Sequence, residues 1–142
     1  MKNIIDWHIE GRLLRVILKT DITKEVFLEV SSTVKQELDT HAQPPYAHII
    51  LDARERGDIH KDMLKLQPVM EAINEVLKHP QMGWLIAINP NPNQVMKFLL
   101  NMSTGITRTR FRIFETIEEA YEFLRYQDQT LPNIDLENRI AL

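Results

Sequence analysis

Three arginines, Arg108, Arg110 and Arg112, alternate with Thr109, Phe111 and Ile113 late in the sequence. In an extended strand alternate side chains share a face, so the three guanidinium groups would stand in one row. Such a row suits an anion, a phosphate group above all, which makes these arginines the candidate anion-binding residues. The same row also suits an edge strand whose charges discourage pairing with a second sheet. Two further titratable groups fall where α/β proteins often work. His48 lies within the apolar run Ala47 to Leu51, and Asp52 directly follows that run. Open α/β sheets bind ligands at the carboxyl ends of their strands, where Asp52 would sit. A receiver-type phosphoacceptor occupies that position, but it needs further acidic ligands after the first strand and a lysine after the last. Thr20-Asp21 and Phe114-Glu115 do not supply that set. The expected roles are a hydrogen-bonded interior or edge histidine at 48, rather than a catalytic base, and an aspartate at 52 that caps the loop Ala53 to Asp58.

Other chemistries lack their residues. The four glycines, Gly11, Gly57, Gly83 and Gly105, are too dispersed for a P-loop or a dinucleotide fingerprint. None of the five histidines stands in an H-x-H or H-E-x-x-H spacing, and the chain has no cysteine. No metal, disulfide, thiol nucleophile, catalytic residue or cofactor is therefore expected.

The elements that would position these residues are legible from periodicity. Two strand-like runs, IIDWHI and RLLRVIL, flank Glu10-Gly11, and the glycine supplies the positive φ of a tight hairpin. Thr23 is an N-cap candidate, after which Phe27, Val30, Val34 and Leu38 recur at helical spacing up to His41, where Gln43-Pro44-Pro45 ends the helix. Ala47 to Leu51 reads as a buried strand. Met63, Leu66, Met70, Ile73 and Leu77 form the apolar face of a second helix, with a kink or break expected at Pro68 because proline lacks an amide. Trp84 to Ile88 is the next buried strand. Asn91, Pro92 and Gln94 form a capping pattern for a helix to about Ser103. Thr109 to Phe114 is a strand, and Thr116 with Glu119 opens a helix to Tyr126. Strands that alternate with helices imply parallel pairing, because parallel neighbours need crossover connections.

Size and charge bound the class. The 142 residues carry 17 basic and 20 acidic side chains, a formal net charge of -3, and 44% hydrophobic residues. One globular domain over residues 1–126 with a C-terminal tail at 127–142 is expected, large enough for a full core. The near-neutral balance argues against nucleic acid as a partner. No window has the length of a membrane span and no leader is evident at the start, so a cytoplasmic location is expected. A monomer or a homodimer is expected.

Three stretches, DWHIEGRLLRVILKTDIT, HIILDARE and TRFRIFETIEEAYEFLR, together resemble the STAS-like family, the relatives of bacterial anti-sigma factor antagonists. The resemblance spans about Ile4 to Arg125. It implies an α/β fold of STAS-like sandwich type: a five-strand mixed sheet, opening as a β-hairpin and continuing as parallel β-α units, with about four helices. It also implies a non-catalytic regulatory or protein-interaction role. In partner-switching members a serine or threonine near the start of the helix after the LD-type strand is phosphorylated. The matching stretch here, Arg56 to Lys61, contains neither. Asp58 puts a fixed charge nearby, with two oxygens where a phosphate has three.

On this reading a protein partner is met by Gly57, Asp58, Ile59, His60 and Lys61, together with the helix expected after Asn91. That helix carries Val95, Met96, Phe98, Leu99, Leu100 and Met102 over roughly 200°, about twice the stripe that core contact requires. Val95, Leu99 and Met102 would face the sheet, leaving Met96, Phe98 and Leu100 as interaction residues. The alternative is a small carrier or sensor that holds an apolar or lipid-like ligand against that helix.

Overall fold

The computed structural model describes residues 2–64, 66–88 and 110–132. Strand β1 (Ile4–Ile9) turns back into β2 (Leu13–Ile17). Gly11 takes a φ of 74° in the turn, the left-handed region closed to most side chains, and the Arg12 amide donates to the Ile9 carbonyl at 2.9 Å. Helix α1 (Lys24–His41) starts where Thr23 Oγ1 accepts from the Val26 amide at 3.1 Å, and it turns Val34 and Leu38 inward. Strand β3 (Ala47–Asp52), helix α2 (Leu66–Leu77), strand β4 (Met82–Ile88), strand β5 (Phe111–Phe114) and helix α3 (Ile117–Gln127) follow.

The sheet order is β1-β2-β3-β4-β5, with β1 antiparallel to β2 and every later pair parallel. This is the five-strand mixed sheet that the strand and helix alternation implied. Three α-helices lie among the described residues, and the helix expected from Asn91 to about Ser103 falls outside them.

Strand alternation divides the core into two layers. On one face Leu14, Val16, Ala47 and Ile49 pack with Val34 and Leu38 of α1 and Val69 and Val76 of α2. On the other, Leu13, Ile50, Ile86 and Ile88 pack with Ala120, Tyr121 and Leu124 of α3. A residue's parity along a strand therefore decides which helices it meets.

Two local expectations are corrected. The break expected at Pro68 comes earlier: Lys61–Leu64 is a short 3-10 turn, and α2 begins at Leu66. Pro68 thus occupies the first helical turn, where a missing amide costs no helical hydrogen bond. The buried line of α2 runs through Val69, which is fully buried, and Val76, with Ile73 packed beside them, while Met70 is only partly buried. At the start of α3, Thr116 Oγ1 accepts from the Glu119 amide at 3.2 Å and donates to the Glu119 carboxylate at 2.9 Å, so the cap closes through the hydroxyl.

Candidate functional site

The segment from Ala53 to Asp62 leaves the carboxyl end of β3 and crosses to the start of α1. Asp52, almost fully buried, anchors its first turn by accepting from the Arg54 amide at 3.1 Å and from Arg54 Nε and Nη2 at 2.9 and 2.7 Å. The bidentate carboxylate holds the guanidinium in its charged form and raises its pKa. Asp52 is thus the loop-capping aspartate expected from the sequence.

Beyond Arg54 the chain is strapped to residues 20–24. The Gly57 amide donates to the Thr20 carbonyl at 2.9 Å, and the Asp58 amide donates to Asp21 Oδ1 at 2.8 Å. The Ile22 amide donates to the Asp58 carbonyl and the His60 amide to the Ile22 carbonyl, both at 2.8 Å, which makes Ile22 and Ile59 a one-residue parallel bridge. Glycine at 57 is a matter of space. A Cβ there would overlap Asp21 Oδ1 and stand 2.9 Å from the Asp21 amide nitrogen. Asp62 completes the strap: its Oδ1 accepts from the Lys24 amide at 2.9 Å, one of the donors that a helix start leaves without an intrahelical partner.

This strap sorts the five expected interaction residues. Asp58, His60 and Lys61 are exposed and Gly57 is partly buried. Ile59 is 7% exposed and belongs to the core, so its place on an exposed interaction surface is corrected. The reason is parity, because the extended bridge that displays Asp58 and His60 must turn Ile59 inward. Met96, Phe98, Leu100 and Arg108 lie outside the described residues, as do the remaining positions of that expected helix.

Arg110 and Arg112 do not converge. Arg110 Nη1 donates to the Met82 carbonyl at 3.1 Å. The Arg112 guanidinium lies over the rings of Trp84 and Phe123, 5.0 and 5.9 Å from their centroids, and its Nη1 donates to the Phe111 carbonyl at 2.8 Å. It covers the outer edge of the α3 layer, where β5 ends the order of the described strands.

His48 is fully buried at the opposite end of β3. Its Nδ1 accepts from the Trp84 amide at 2.9 Å, which fixes the proton on Nε2, and Nε2 donates to Asp128 Oδ2 at 2.9 Å. Arg12 Nη2 donates to the same oxygen at 2.7 Å. Burial dominates the imidazole and pushes its pKa down, against the upward pull of Asp128. Burial alone would raise the Asp128 carboxyl, but the hydrogen bonds from Thr130 and His48 hold it below the usual carboxylate range. The hydrogen-bonded interior histidine is thus as expected. Nothing in the sequence marks Asp128 and Arg12 as its partners, or Asp21 and Asp62 as the acceptors of the strap, because single polar residues separated by long stretches of sequence leave no periodic signal.

A cavity of about 140 Å³ lies on the α1 and α2 face of the sheet, walled by residues that include Ile22, Ala53 and Ile59. It lies under the strapped segment.

The structure of the Bacillus cell fate determinant SpoIIAA in its phosphorylated form superposes with a TM-score of 0.54 at 14% identity, over 87% of this chain and 100% of that one. The chain has the STAS-like fold. No family model matches the sequence, and no curated protein matches it. Among the described residues no helix is long and apolar enough to cross a membrane.

Proposed function

We propose that this chain is a non-catalytic regulatory module that docks a protein partner on the strapped segment after β3, in a bacterial cytoplasm, without a phosphorylation switch at residues 56–61. The observation that carries the reading is the Ile22–Ile59 bridge, which presents Asp58, His60 and Lys61 to solvent on a segment held at both sides by backbone hydrogen bonds. A held segment loses little conformational freedom on binding, so charged contacts made there are not offset by ordering cost. The STAS-like fold of SpoIIAA supports the reading, and the stretch Arg56 to Lys61 offers no hydroxyl to phosphorylate. Asp58 supplies a permanent charge in that stretch.

The test compares the wild type with Asp58→Lys/Lys61→Glu, each recovered from the native host and weighed by native mass spectrometry. A protein bound at fixed stoichiometry to the wild type and lost from an equally stable variant supports the proposal. A partner retained by the variant, or none bound to the wild type, refutes it.

A further inference from the structure

We propose that the cavity between the sheet and helices α1 and α2 is a binding site for a neutral, apolar molecule about the size of one aromatic ring. Its volume is about 140 Å³. Val16 and Ile49 line it from the sheet, Val34 and Val76 from the two helices, and Ile59 and Met63 from beneath the strapped segment. These six side chains are each at most 7% exposed. Among the described lining residues Ser31 brings the only side-chain hydroxyl, and none carries a charge.

The lining and the volume together select the occupant. Water needs two to four polar partners to remain in a protein interior, and this lining offers one hydroxyl, so water is a poor filler. An engineered apolar cavity of about 150 Å³ stays dry and takes up benzene or xenon, so a site of this size and lining accepts a single ring. A charged head would have to leave water without a counter-charge, which excludes carboxylates and amines. A long acyl chain exceeds the volume. The site thus lies on the α1 and α2 face and takes a small ring rather than a lipid, and it does not depend on the docking role proposed for the surface above it.

Titration of the isotope-labelled full chain with toluene, followed through the methyl signals of Val34, Ile49, Ile59 and Val76, tests this site. Saturable shifts confined to these methyls are expected, with a rise in Tm of several degrees at about a hundredfold excess over Kd. Palmitate at the same concentration should leave the signals in place. Val34→Phe, which fills the space, should abolish the toluene shifts while the far-UV spectrum stays native. Absence of saturation in the wild type overturns the proposal whether or not that variant folds. Shifts that persist in a folded Val34→Phe, or palmitate shifting the same methyls, also overturn it.

Discussion

His48 Nε2 donates to Asp128 Oδ2 at 2.9 Å, joining the start of β3 to the residue after α3 across 80 positions of sequence. Arg12, just before β2, donates to the same oxygen, and Thr130 donates to the other oxygen through its amide at 3.0 Å and its hydroxyl at 2.5 Å. One carboxylate thus pins the end of α3 to two neighbouring strands. The side chains of His48, Asp128 and Arg12 are 0%, 4% and 12% exposed, so the bonds that His48 and Arg12 make to Asp128 are largely shielded from water.

Asp128→Ala should therefore destabilise the fold by about 3 kcal/mol, because it leaves a buried imidazole N–H without its acceptor and a largely buried guanidinium without its counter-charge. Urea unfolding measures this. Loss below about 1 kcal/mol would mean that water replaces the carboxylate at no cost.

The pH dependence follows from the same pair. The folded-state pKa of His48 is depressed, so its contribution is present above the unfolded value of 6.5 and is lost as pH falls below it. Asp128 is also depressed, and its contribution is lost as pH falls below 3.8. Stability should thus decline on acidification in two stages. The first stage, read from Tm between pH 7 and 5, should vanish in His48→Gln if that variant folds.

Gly57→Ala tests the strap. The added Cβ displaces the Asp21 carboxylate from the Asp58 amide, and a loss of about 1–3 kcal/mol is expected, the range for overpacking. Hydrogen exchange should quicken at the amides of Ile22, Asp58 and His60. Unchanged exchange would show that the segment shifts without coming loose.

Ile59→Ala and Asp58→Ala separate core from surface at adjacent positions. The first should cost about 2–4 kcal/mol and the second within about 0.5 kcal/mol, as measured by denaturant midpoints. Equal losses would place both side chains in the same environment.

Arg112→Ala should remove the cation-π contact with Trp84 and cost about 0.5–1 kcal/mol, with Trp84 fluorescence as a direct signal. If the arginines instead serve an anion, inorganic phosphate should raise the wild-type Tm, and the substitution should abolish that rise.

Much of this protein was determined by local pattern. The positive-φ glycine of the opening turn, the caps at Thr23 and Thr116, the buried runs at β3 and β4 and the order of strands and helices follow from rules that act within a few residues, and the parallel pairing follows from that order. Tertiary structure decided what those rules cannot see. The Ile22–Ile59 bridge turns a residue of the strapped segment inward, the 3-10 turn before α2 moves Pro68 into a first helical turn, and Asp128 becomes a shared acceptor for His48 and Arg12. The bridge and the shared acceptor depend on residues far apart in sequence coming to lie within hydrogen-bonding distance. Only packing brings them together, because a lone aspartate or isoleucine reads the same in the sequence whether it ends in solvent or in the core.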